Sequence, residues 1–160
     1  MSRVLIYFLL CLALLGYAWL RGGGPEKAAA TLWLIAFLST VFSYSAMPVR
    51  FRSVEIGPLA VDLVTLALLI LLMIRADRFW PIALVSLHAV GTAGHFVKML
   101  APDTIRLAYA IMSAFLAYPI LAVIAIGVHR HQLRLKRTGR DNGWRASSAS
   151  PRPTETMPAP

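Results

Sequence analysis

Residues 79–100 read FWPIALVSLHAVGTAGHFVKML. At a helical rise of about 1.5 Å per residue, this stretch is long enough to cross a hydrocarbon core of roughly 30 Å. It is predominantly apolar, yet it carries Ser86, His88, Thr92, His95 and Lys98. In lipid such a run must be helical, because every backbone group needs a partner within the segment. Read as a helix, it places His88, Gly91, Thr92, His95 and Lys98 on one stripe. A polar stripe inside a membrane segment is the first place to look for chemistry.

Four more apolar runs surround this one, at 4–20, 28–47, 57–74 and 107–128. Each has the length of a membrane span. The chain therefore reads as an all-α, polytopic transmembrane bundle of five helices over residues 1–128. A basic juxtamembrane segment at 129–145 and a Ser/Pro/Ala-rich tail at 146–160 follow, the tail expected to be disordered. The first run admits a second reading. Arg3 followed by an apolar stretch and Gly16-Tyr17-Ala18 resembles a signal peptide, and cleavage would leave four helices. The unbroken run to Leu20, with Trp19 as an interface anchor and Arg21 directly after, favours a retained helix.

Composition agrees. Of 160 residues, 58% are hydrophobic and only 14% charged, against about 25% charged in a soluble domain. Mean hydropathy is +0.67. The formal net charge of +9 would suggest nucleic acid in a soluble protein. Here the basic residues sit in short loops and in the tail, and Trp144 is the single aromatic there for base stacking, so no nucleic-acid partner is expected. Arg130, Arg134, Lys136 and Arg137 instead make a cluster suited to anionic lipid head groups of the bilayer. Counting Lys and Arg on the two sides of the five helices sets the orientation. Arg21, Lys27, Arg75, Arg78 and the tail face the cytoplasm, with the N-terminus outside and the C-terminus inside. Short loops and an Arg-rich tail suggest a bacterial inner membrane.

The connections carry turn signals. Gly22-Gly23-Gly24-Pro25 breaks the chain after the first run. Residues 48–56, PVRFRSVEI, are expected to lie along the membrane surface, and residues 75–78 make a tight hairpin. Asp103 is a plausible N-cap for the fifth helix, and Pro119 is expected to kink it. The lone Cys11 excludes an intramolecular disulfide and is expected to be buried and inert.

Hairpin arithmetic selects a site. Asp62 lies about fifteen residues before Asp77, and His95 about eighteen after it, a mismatch of roughly 4.5 Å along antiparallel axes. A carboxylate near the bilayer centre costs about 2.5–3.5 kcal/mol and invites a partner. Asp62, Thr92 and His95 are therefore grouped as an outer-half polar cluster, ringed by Tyr44, Tyr109 and Ser113. His88 falls near the midplane with Tyr118 at its level. Ordinary helix packing explains such residues equally well, since polar bridges between membrane helices contribute about 0.6 kcal/mol each.

Four functions are compatible with these features. A non-enzymatic accessory or scaffold subunit fits the small size and short loops and implies a protein partner in the membrane. Proton or small-solute transport would use Asp62, His95, His88 and Lys98, although Leu66 to Ile74 offers no acid or base to continue the path. Haem on a single histidine is a third reading. His88 and His95, about 10.5 Å apart on one face, cannot clamp one iron. An enzyme is least supported: HExxH, GxSxG and paired intramembrane aspartates are missing, and no cofactor or metal site is expected.

Overall fold

The structure is a computed structural model. It describes the backbone of residues 2–45, 56–100 and 106–145, and the side chains of 4–43, 56–97, 99–100 and 115–145. Five helices account for nearly all of it: α1 (Ser2–Arg21), α2 (Gly24–Ser45), α3 (Ile56–Arg75), α4 (Trp80–Leu100) and α5 (Arg106–Thr138). No strand occurs among the described residues. Segments of α1 to α4 are long and apolar enough to cross a membrane. Each helix packs on its neighbours in sequence, α5 closes the ring against α1, and α2 reaches across to α5. One end of the bundle gathers the C-termini of α1, α3 and α5 with the N-termini of α2 and α4. We call it the tail end, and the opposite one the far end.

The pattern of burial is inverted relative to a water-soluble bundle. Leu5, Ile6 and Leu9 of α1 and Leu63, Val64 and Leu68 of α3 face outward, while Glu26, Thr65, His88, Thr92, His95 and His131 are buried. Continuous apolar surface of this kind is unstable in water and suits lipid.

Inside, the tail half is dry. Ala29, Leu69, Leu84 and Ile124 are fully buried and Ala30 nearly so. One helical turn nearer the tail end, about 5.4 Å on, Trp80 packs over Gly127, where a Cβ would lie 3.0 Å from the indole. The indole Nε1 of Trp80 donates to Glu26 Oε1 at 3.2 Å. Glu26 is fully buried, and its Oε2 has no hydrogen-bond partner.

Helix ends differ from the expectation in two places. The α1–α2 turn is shorter than the Gly-Gly-Gly-Pro run suggested. Gly24 and Pro25 already belong to α2, because proline tolerates the first helical turn, where its missing N–H is not needed. Helix α5 does not stop near 128 but continues to Thr138. Residues 129–138 hold no Gly or Pro, and Lys136 and Arg137 complement the negative end of the helix dipole. Gly139 then ends it with φ +68° and a bond from its N–H to Leu135 O at 2.9 Å. Pro119 lies inside α5, and the helix continues through it.

After Gly139 the chain folds back as a strap over the tail end. Asp77 N–H donates to Gly143 O at 3.1 Å and Arg145 N–H to Arg75 O at 2.9 Å, making an isolated antiparallel bridge between Ala76 and Trp144. The Trp144 indole sits against Gly24, where a side chain would collide with it. The sequence reading of 129–145 as one solvated basic segment did not contain this strap. Residues 46–55 and 101–105, on which the expected surface segment and the Asp103 cap fall, and residues 146–160 lie outside the described residues.

Candidate functional site

Among the described residues, the hydrogen bonds from the stripe on α4 to α3 go to one residue, Asp62. His95 Nε2 is 3.0 Å from Asp62 Oδ2. On the same face and two turns nearer the tail end, His88 Nε2 is 3.0 Å from the main-chain oxygen of Asp62. A carbonyl only accepts, so His88 carries its proton on Nε2. Two histidines seven residues apart thus grip the side chain and the backbone of one aspartate. Their sequence spacing follows the helical repeat, and the short turn at 76–79 sets the level of Asp62 against His95.

Thr92 is buried on the same stripe, but its hydroxyl donates to His88 O of its own helix at 3.0 Å. Thr92 was grouped with Asp62 by its level, but its hydroxyl bonds within its own helix: a threonine in a helix reaches the carbonyl four residues back more readily than a neighbour across the interface. Tyr118 does not serve His88 either. It is about half exposed, and its ring meets Tyr7 edge-on at 5.6 Å. The aromatic partner of His88 is Trp33 of α2, edge-on at 5.6 Å. Tyr44, Tyr109 and Ser113 lie in α2 and α5, and their side chains, like that of Lys98, are outside the described residues.

Trp33 extends the site to the remaining helices. Its Nε1 donates to the Tyr7 hydroxyl at 2.9 Å, and that hydroxyl donates to Ala117 O at 3.4 Å. Between these groups lies a cavity of about 230 Å³ lined by residues of all five helices, among them Tyr7, Trp33, Phe37, Asp62, His88 and His95. The Asp62 side chain keeps 25% of its surface exposed, whereas His95 keeps 7%. The cavity ends on Trp33, Leu87 and Ile120; the next turn of each helix brings Ala29, Ala30, Leu84 and Ile124, the dry layer. Cys11 is buried.

Tyr7, Trp33 and Phe37 were not among the residues singled out from the sequence. A signal for two of them exists: a tryptophan and a tyrosine inside apolar runs, away from the interface belts these residues prefer, need a polar partner.

A second polar cluster occupies the tail end. Asp141 of the strap receives Arg78, Arg134 and His131. Arg134 Nε lies 3.1 and 3.2 Å from its two oxygens. Burial raises the Asp141 pKa, but hydrogen bonds from Arg134 and His131 and the charges of Arg134 and Arg78 outweigh it, holding the carboxyl below its ordinary range. Of the four basic residues assigned to lipid, Arg130, Lys136 and Arg137 are exposed, while Arg134 turns inward to Asp141. Among the described residues, no three His, Cys, Asp or Glu side chains converge at metal-binding distance. No family model, curated protein or solved structure matches the chain.

Proposed function

We propose that the chain is a non-enzymatic, multi-pass protein of a bacterial inner membrane, an accessory or scaffold subunit with a blind polar pocket in its far half. The observation that carries this reading is the aliphatic layer of Ala29, Leu69, Leu84 and Ile124 directly beneath the cavity, with no described polar side chain in it. Water and ions entering from the far end meet a hydrocarbon seal. Proteoliposomes holding the native chain and Asp62→Asn should show the same proton and solute flux, at the level of protein-free vesicles.

Transport is the second reading, and Glu26 favours it. This acid, one turn beyond the seal, has a free oxygen, so ionisable groups flank a single aliphatic layer. Flux that falls in Asp62→Asn would establish this reading in place of the first. A haem on His88 gains no support, since its Nε2 is committed to Asp62 O.

The tail end carries Arg21, Lys27, Arg75, Arg78 and the basic end of α5, which argues for a cytoplasmic face there. Exposed Arg130, Lys136 and Arg137 would bind anionic lipid at about 1 kcal/mol each. Helix α1 belongs to the mature protein in this reading, because Tyr7, Cys11, Leu14 and Ala18 contribute to the core. Reporter fusions after residue 52 and after residue 137 should read outside and cytoplasmic, respectively.

A further inference from the structure

We infer that the far-half cavity binds a small organic cation, a primary ammonium on a compact apolar or aromatic body. This rests on the reading of the cavity as a binding pocket and adds the chemistry of its ligand.

The polar atoms around the cavity are unevenly committed. Three of its N–H and O–H donors are spent: His88 Nε2 on Asp62 O, Trp33 Nε1 on the Tyr7 hydroxyl, and the Tyr7 hydroxyl on Ala117 O, which leaves the Thr40 hydroxyl among the described lining residues. His95 Nε2 faces Asp62 Oδ2. An acceptor is left over. Asp62 Oδ1 makes no hydrogen bond with the described residues, and the side chain is the partly exposed member of its pair. No Lys or Arg is among the described lining residues. A carboxylate or phosphate ligand would therefore meet a carboxylate and, among the described lining residues, the Thr40 hydroxyl in place of a cationic partner. An ammonium would meet the unoccupied oxygen.

The rest of the lining suits the body of such a ligand. Tyr7, Trp33 and Phe37 bring three aromatic rings to the cavity, and cations are attracted to aromatic faces, most strongly in a desolvated site. Leu87, Leu116 and Ile120 supply aliphatic wall. A bare metal ion is a poorer match, because hard cations require about six oxygen ligands and, among the described lining residues, hydroxyl or carboxylate oxygen is carried at Tyr7, Thr40 and Asp62. The volume of about 230 Å³ lies below the ~300 Å³ at which drug-sized pockets begin. It accommodates a single ring with a short arm.

The test uses the full chain in lipid nanodiscs and isothermal titration with three probes of one shape: benzylammonium, benzyl alcohol and benzoate. Benzylammonium should bind saturably, one per chain, with Kd on the order of 1 mM or tighter, as befits so few atoms. Benzyl alcohol should bind at least about tenfold more weakly, and benzoate should not saturate. Asp62→Asn should weaken benzylammonium by about tenfold or more. Equal binding of the ammonium and the alcohol, or no saturable binding of the ammonium, overturns the inference. If Asp62→Asn does not fold, the probe series on the native chain decides alone. Failure here leaves the seal intact, since the flux comparison tests that separately. Asp62-dependent flux with selective ammonium binding would replace the blind pocket by a transport site and keep the ligand class.

Discussion

Two carboxylate–imidazole pairs stand at opposite levels of this bundle. Asp141 pairs with His131 at the tail end, and Asp62 pairs with His95 in the far half. Asp141 also receives two arginines and keeps 5% of its side-chain surface; the Asp62 carboxylate has one partner among the described residues and keeps 25%. The first pair is saturated with donors and tightly enclosed, as a structural clamp is. The second is half satisfied and borders a cavity, as a site for something else is. Similar chemistry is thus turned to different ends by the number of donors supplied.

The same substitution at both positions is the sharpest way to break this comparison. Asp141→Asn leaves Arg78, Arg134 and His131 together without their counter-charge. Losing one partner of a buried ion pair costs about 3–5 kcal/mol, and partial exposure of Arg134 lowers that to about 2–3 kcal/mol. Thermal unfolding in detergent should register it as a clear fall in Tm. Asp62→Asn should lose about 1 kcal/mol or less, since the amide oxygen still accepts from His95. Equal losses would mean that both pairs are clamps.

A smaller disturbance comes from the turn. Gly23→Ala would place a Cβ 2.9 Å from His131 Cε1 and 3.0 Å from Glu26 Oε2. It should cost about 1–3 kcal/mol by overpacking, and it should loosen the strap while leaving the far-half cavity unchanged. Release of the C-terminal segment by brief proteolysis checks this.

Acid should act on the strap in a defined direction. The folded pKa of Asp141 is depressed, so its contribution is fully present above the unfolded value of about 3.9. That contribution is lost as pH falls through the folded value. A fluorophore on Arg145→Cys should hold constant exposure from neutral pH down to about pH 4 and become exposed below it. Exposure beginning near neutrality would show that Asp141 does not hold the strap.

The smallest effect expected is at Trp33→Phe, which removes one hydrogen bond to Tyr7. About 1 kcal/mol or less should be lost, together with affinity for any cavity ligand.

The sequence carried the helices and the level of Asp62 against His95, because apolar runs of fixed length and short turns leave little freedom along the helix axis. Rotation about that axis was less legible. Helix α2 is apolar on nearly every side, so no stripe marks Trp33 and Phe37 as inward-facing. Thr92 and Tyr118 were placed at the right depth but given the wrong neighbour for the same reason. The strap was illegible for another cause. Asp141 sits in a stretch with six Lys and Arg between 130 and 145, and composition alone describes such a stretch as solvated. Its fold depends on Arg78 and on the α1–α2 turn, more than fifty residues away in sequence.

The central claim is that a polar pocket in one half is sealed from the other by a layer of aliphatic side chains. Two single cysteines in a Cys11→Ser background test it: Thr40→Cys in the cavity wall and Ala29→Cys in the seal. A membrane-impermeant thiol reagent added from the far-end side should label Thr40→Cys and leave Ala29→Cys unmodified from either side. Labelling of Ala29→Cys would contradict the seal and show a continuous water-filled path.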